Sequence, residues 1–334
     1  MTRRLAEVAK KVGVSEATVS RVLNGKPGVS DATRATILSA LDVMGYERPT
    51  QLRGERARLV GMVMPELQNP IFPAFAEVIG GGLVQRGLTP VLCTSTAGGM
   101  SEPAYVSMLL QQQVSGMIFF GGAHAEVESS HAHLEQLHER GIPVVLMNAA
   151  VEKLAFPTVS TDDIAAVELA FAHLRSLGHE RLGLVIGPLD HVPSLRKHDT
   201  FLRVSQEAGL DLSDLVEHSM FTLEGGQLAA SQLIERGCTG VLFASDPMAL
   251  GGIKAARRAG LQVPRDFSVI GFDDSSLMGC TDPPLSTIRQ PIEAMGRAAV
   301  TLLVNQIEGG VSAARELLFE PELVVRGTTG AVRA

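Results

Sequence analysis

The sequence predicts an α/β protein in which a small helical N-terminal unit precedes two lobes of doubly wound parallel sheet. Two observations carry that expectation. Residues 5–24 hold two short amphipathic helical patterns joined by a tight turn, and after Arg58 apolar strands alternate with helices of 10 to 16 residues. Leu5, Val8, Ala9 and Val12 fall at i, i+3, i+4 and i+7, so one face of the first helix is apolar. The turn lies at Gly13 and Val14. Ser15 offers the hydroxyl of an N-cap, and Val19, Val22 and Leu23 repeat the apolar spacing behind it. Glu16, Ala17, Ser20, Arg21 and Asn24 line the opposite, solvent face. Two such helices across a glycine turn form a helix-turn-helix, whose second helix is sized to enter a DNA major groove.

The body reads strand by strand. Residues 59–64 form a buried strand and 71–86 the helix after it. Strands follow at 89–93, 116–120 and 144–147, with helices near 102–113 and 127–140 between them. The rhythm restarts with a strand at 159–161 and a helix at 162–177, then a strand at 182–186 and a helix near 195–208. A helix near 225–236, a strand at 240–244, a helix near 248–259 and a strand at 267–272 complete it. Strands separated by helices imply parallel sheets covered on both faces. This much sequence exceeds one core, so two lobes are expected. A late helix at 292–307 and strand segments near 316–325 must return across both.

Charge divides the chain at the same place. Through Arg58 there are 11 Lys and Arg against 6 Asp and Glu, while the whole chain carries −7, so the rest carries −12. A basic end on an acidic body concentrates attraction to phosphate in the first 58 residues. Apolar content of 45% with 19% charged residues is globular. The polar, amphipathic N-terminus is not a secretory signal, and no apolar run reaches the 18 residues of a membrane span. Cys93, Cys238 and Cys280 form no CxxC pair and read as buried reduced thiols. A cytoplasmic, nucleoid-associated protein without a membrane partner is expected.

Enzyme signatures are missing from the sequence. It has no Walker A motif, no GxGxxG and no GxSxG. His131, His133 and His138 with Glu135 lack the HExxH spacing and read as a solvated helix face. Neither a metal nor another cofactor is expected.

Residues 14–24 (VSEATVSRVLN), followed by Gly25, Val29-Ser30, Thr33-Arg34 and Gly45-Tyr46, closely resemble the N-terminal headpiece of LacI-family repressors. The alternating body is similar to the sugar-binding core of that family, which shares its fold with periplasmic sugar-binding proteins. The resemblance covers essentially the whole chain. It implies a headpiece at 1–47, a hinge at 48–58 and an effector-binding, dimerising core at 59–330. The core divides into a first lobe of about 59–158 plus 291–318 and a second of about 159–290 plus 319–330. Segments 221–226, 271–276, 321–327 and 45–49 are most similar to repressors of maltose and maltodextrin regulons.

On DNA, Arg21 is suited to guanine O6 and N7 or to a phosphate, Ala17 to a thymine methyl and Glu16 to cytosine N4. Ser15, Thr18 and Ser20 suit phosphates, which position without specifying. A single headpiece reads few base pairs, so a homodimer on a palindromic operator is the geometric expectation. From Tyr46 to Gly61 the chain is three residues shorter than better-known members, whose hinge helix drives a leucine into the minor groove. Leu52 is the residue a gapped alignment offers for that wedge. The tail after Val324 has no heptad, which argues for a dimer over a coiled-coil tetramer.

The small-molecule effector, a sugar, belongs in the cleft between the lobes, outside the carboxyl ends of the strands. Asp273 falls at the family's sugar-reading aspartate, and Gln290 on the crossover segment 283–290. Asn148, Ser245 and Asp246 end strands at equivalent family positions. Arg196 or Lys197 stands where the family carries a clamping arginine, and only arginine supplies a planar fork. With no Trp and only 2 Tyr, the ring-stacking surfaces fall to phenylalanines, of which Phe72 and Phe221 stand at family pocket positions. A sugar that releases the operator is the main reading. A corepressor of opposite sign, and a sugar-binding protein without a DNA function, are the alternatives.

Overall fold

The structure is a computed structural model describing residues 8–23, 26, 28–43, 58–95, 98–151, 154–310 and 315–332. Two compact units divide it, residues 1–58 and 59–334. In the first, residues 8–12 are helical (α1), followed by α2 (Glu16–Leu23) and α3 (Asp31–Val43). Gly13 adopts φ +73°, and Val14 N–H then donates to the Ala9 carbonyl at 3.0 Å. Ser15 Oγ accepts from Thr18 N–H at 3.1 Å to start α2, and Ser30 Oγ accepts from Thr33 N–H at 3.2 Å to start α3. Val8, Ala9, Val19, Val22, Leu23 and Ile37 make the shared core. The expected residues Asn24 and Leu52, and the hinge region 48–57, lie outside the described residues.

The second unit contains two six-stranded sheets. The first sheet runs in the order β11-β5-β4-β3-β1-β2, from β1 (Arg58–Met64), β2 (Leu88–Thr94), β3 (Gly116–Phe120), β4 (Val144–Met147), β5 (Thr158–Thr161) and β11 (Glu316–Phe319). The second runs β12-β10-β9-β8-β6-β7, from β6 (Leu182–Ile186), β7 (Val216–His218), β8 (Gly240–Phe243), β9 (Ser268–Asp273), β10 (Ser286–Arg289) and β12 (Glu322–Val324). Pairing is parallel from β1 through β3, β4 and β5 to β11, and from β7 through β6, β8 and β9 to β10. β12 closes the second sheet antiparallel to β10.

Helices cover both faces of each sheet. α4 (Ile71–Gln85) and α11 (Ile292–Ile307) bury Ile79, Leu83, Met295, Ala299 and Leu303 against one face of the first. On the other face, α5 (Glu102–Gln111) and α6 (Ala132–Glu139) bury Val106, Leu109, Leu134 and Leu137. In the second lobe, α7 (Asp163–Ser176), α8 (Val192–Glu207), α9 (Leu223–Glu235) and α10 (Asp246–Arg258) enclose one continuous core around Phe201, Phe243 and Phe267.

Several expectations are corrected here. The strand at 159–161 does not open the second lobe: β5 lies in the first sheet, between β4 and the edge strand β11. The chain crosses only afterwards, where Asp162 Oδ1 caps α7 by accepting from Ile164 and Ala165 N–H at 3.0 Å. The strand segments near 316–325 do return across both lobes, as expected, one in each sheet. β7 and β10 do not figure as strands in the sequence reading: β7 is only three residues long, and β10 carries the polar Ser286 and Thr287. Cys93 and Cys238 are buried, but Cys280 is exposed.

α9 and α10 approach backbone to backbone. A Cβ on Gly251 would lie 2.1 Å from the Leu223 carbonyl oxygen, and one on Gly226 would lie 2.2 Å from that of Met248. Neither partner is a movable side-chain end, so the helices themselves must part. Gly251→Ala is therefore expected to destabilise the second lobe by about 3 kcal/mol, the upper range for overpacking. Denaturant unfolding checks this; an unchanged midpoint contradicts the close crossing.

Candidate functional site

Parallel strands leave the carbonyl ends of both sheets pointing to one edge, and a large cavity opens there. Its volume is about 1010 Å³, at the upper end for a small-molecule site. The residues following β1, β2, β3 and β4 line one side, and those following β6, β7, β8 and β9 the other. Phe72, Asn148, Lys197, Phe221, Ser245, Asp273 and Gln290, seven of the nine residues expected from the sequence, line it together.

Asp273 ends β9 as a non-glycine residue at φ +118°, and Asp274 follows at φ +56°. Such backbone is costly and persists where surroundings impose it. Asp273 is 3% exposed, and both of its carboxylate oxygens are matched. Gln290 Nε2 donates to Oδ1 at 2.7 Å, and Asn69 Nδ2 donates to Oδ2 at 3.2 Å. Gln290 Oε1 in turn accepts from Thr161 Oγ1 at 2.7 Å. Asn148, itself at φ +66°, accepts from Thr161 N–H at 3.4 Å through Oδ1. Burial and the nearby Asp246 charge push the Asp273 carboxyl well above the ordinary range, while the two amides pull the other way.

Two expected residues do not line the cavity, which corrects the sequence reading. Arg196 turns away to form a fork with Glu316 of β11, both N–O distances 2.8 Å, and Ser160 Oγ donates to the same carboxylate at 2.6 Å. Lys197, the next residue on α8, carries its Nζ to Asp163 and sits 4.2 Å above the Phe272 ring centroid. One step along a helix rotates a side chain by about 100°, so neighbours serve different surfaces. Asp246 is sealed behind the wall, accepting from Thr287 Oγ1 at 2.6 Å and Ser275 N–H at 2.7 Å. Burial pushes its carboxyl up to about 6. Ser245 lines the cavity and also caps α10, accepting from Met248 N–H at 3.4 Å.

The sequence reading missed several lining residues: Asn69, Glu102, Thr161, Asp163 and His191. Asn69, before Pro70 at a helix start, carried a capping signal; the others depend on tertiary neighbours. His133 is buried rather than on a solvated face, because its Nε2 meets Glu102 Oε1 at 2.7 Å. Glu102 Oε2 accepts from Ala123 N–H at 3.2 Å, and a Cβ on Gly122 would lie 2.5 Å from that oxygen, so a side chain there would displace the carboxylate. The loop so held reaches the second lobe, where Val127 N–H donates to the Asp190 carbonyl at 2.7 Å. Among the described residues no cluster suited to a metal occurs.

In the N-terminal unit, Ser15, Glu16, Ala17 and Arg21 are exposed, and Thr18 and Ser20 are half-buried. Val19, Val22 and Leu23 are buried on the opposite face of α2. One face of this helix is thus spent on the core and the other remains for a partner.

His191 gives the cavity a pH signature. Burial, with the charges of Lys197 and His124, lowers its pKa to about 4. A histidine held neutral in the fold but free to charge when unfolded stabilises above its ordinary pKa near 6.5, and loses that contribution as pH falls toward 4. Between pH 6.5 and 5 the loss is about 2 kcal/mol. His191→Gln should therefore flatten the fall in melting temperature between pH 7 and pH 5; an unaltered pH slope contradicts it.

Residues 4–49 match the model of bacterial regulatory proteins of the lacI family, and residues 171–329 that of the periplasmic binding protein-like domain. The chain is 54% identical over 335 residues to the HTH-type transcriptional regulator reg1 of Streptomyces lividans, covering 98% of this chain and 97% of that one. It is 53% identical to the HTH-type transcriptional regulator MalR of Streptomyces coelicolor, with the same coverage. Among solved structures it is similar to the transcriptional regulator CelR–cellobiose complex, with TM-score 0.74 and 30% identity over 97% of this chain and 99% of that one. It is also similar to the lac repressor dimer bound to operator and the anti-inducer ONPF, with TM-score 0.73 and 26% identity over 97% and 98%. These full-length relatives are regulators, not enzymes, and the chain belongs to the LacI family of helix-turn-helix transcriptional regulators.

Proposed function

We propose that the protein is a homodimeric repressor of carbohydrate-utilisation genes, released from a palindromic operator by an uncharged saccharide of maltose or malto-oligosaccharide type. One observation carries the effector half: a large cavity, bounded by aromatic rings, whose polar groups converge from the strand ends of both lobes. Aromatic rings match the apolar faces of a sugar ring, and carboxylates and amides match its hydroxyls. In this reading Asp273, Asn148, Gln290, Ser245 and Lys197 meet hydroxyls, and Phe72 and Phe221 meet ring faces. Arg196 and Asp246 support the wall from behind. The similar CelR structure holds cellobiose, a saccharide, which supports this ligand class.

For DNA, Glu16, Ala17 and Arg21 read base edges while Ser15, Thr18 and Ser20 hold phosphates. Asn24 and Leu52 remain sequence-based assignments. Coupling requires that the saccharide bind the two core arrangements unequally.

The test is fluorescence anisotropy of a labelled palindrome from the DNA upstream of this gene, at two salt concentrations, with and without maltose. Salt-sensitive binding released by maltose is the expected result. Binding strengthened by maltose would instead make the sugar a corepressor, and indifference to every saccharide tried would sink the effector reading. Arg21→Ala is expected to weaken operator binding about tenfold or more, the loss of one base or phosphate contact, without altering maltose affinity.

A further inference from the structure

Asn69 occupies an unusual place: it is a first-lobe residue that satisfies the central acceptor of the second. It lies between β1 and α4 and is 6% exposed. Its Oδ1 accepts from Ile71 N–H at 3.2 Å, which fixes which end of the amide is the donor. The Nδ2 end therefore faces the cleft and reaches Asp273 Oδ2 at 3.2 Å. Both residues line the cavity. The Gln290 bond to the other oxygen is shorter, at 2.7 Å, and comes from the segment where the chain crosses between lobes. Asn69 is thus the longer-held of the two partners, and the one that arrives from the opposing wall.

We propose that Asn69 is an internal competitor that sets the affinity of the cavity: its amide occupies the Asp273 oxygen that a ligand hydroxyl must take. The proposal rests on the saccharide reading above and adds a threshold to it. A hydroxyl donating to a carboxylate makes a shorter hydrogen bond than an amide does, so a polyhydroxylated ligand wins the exchange. A phosphoryl group brings only acceptors and gains nothing at Asp273, so a sugar phosphate competes with fewer donors than the free sugar. Nor does it find a free cation in Lys197, whose ammonium already pairs with Asp163. The exchange therefore favours an uncharged saccharide over its phosphate ester.

The substitution that isolates this role is Asn69→Ser. Its hydroxyl is short enough to keep the cap on Ile71 N–H but cannot span the cleft. Calorimetric titration of maltose into the full-length protein should show binding about tenfold tighter for Asn69→Ser than for the unsubstituted chain, the scale of one hydrogen bond to a charged group. In an Asp273→Asn background, where the carboxylate is gone, the same substitution should change affinity little. Glucose 6-phosphate should bind more weakly than glucose to the unsubstituted chain. Asn69→Ala serves if the serine variant does not fold, with thermal melts confirming that whichever is used is native.

The outcomes separate the two levels. Maltose binding that weakens or stays equal in a folded Asn69 variant overturns the competitor while leaving the saccharide reading intact. Glucose 6-phosphate binding as tightly as glucose overturns the preference for uncharged saccharides. Absence of saccharide binding to both the unsubstituted chain and the variant overturns the saccharide reading, and the competitor with it.

Discussion

A carboxylate removed from water must be matched by donors or it destabilises the fold by several kcal/mol. Asp273 faces that requirement at the edge where both sheets end, and the answer ties distant segments together. Gln290 reaches it from the second crossing between lobes, Asn69 from the opposite wall. Each amide is itself held, Gln290 by the Thr161 hydroxyl at the first crossing and Asn69 by the start of α4. The placement of the two lobes is thus recorded in one chain of hydrogen bonds, and anything that binds at Asp273 acts on that chain.

α8 extends the same logic. Lys197 turns to the cavity and Arg196 to Glu316 on the edge strand of the other lobe. A ligand that displaces Lys197 or Asp163 therefore acts one residue away from an interlobe ion pair. Exposed ion pairs contribute little, but this one is bidentate, more than seven-tenths buried on both sides and shared with Ser160. Opposite it, the loop carried by Glu102 places Val127 against Asp190. Side-chain and backbone contacts together form a seam around the cavity.

Much of this was legible in the sequence. The helix-turn-helix rests on the spacing of Val19, Val22 and Leu23 behind Ser15, and that local pattern survives intact. Strands of four or more apolar residues were visible because burial on both faces makes them continuous runs. β10 was read as a connecting segment because its Ser286 and Thr287 are polar, buried only through hydrogen bonds to distant chain such as Thr328 and Asp246. β5 was assigned to the wrong lobe because a break after Met147 resembles a restart, and only pairing with β4 and β11 shows otherwise. Asp246 and Arg196 stand at family pocket positions but turn elsewhere, since one residue of rotation decides which surface a side chain meets. His133 was hidden by its partner Glu102, 31 positions away.

The most direct test of this account is hydrogen–deuterium exchange of the full-length protein with and without saturating maltose. Occupation of the cleft should tighten the seam, so the Val127 amide, which donates to Asp190, should exchange more slowly with ligand, as should the amides at 273–275 and 290. Unchanged exchange at these positions under saturating maltose would contradict the claim that the cavity's occupant and the interlobe seam are one system.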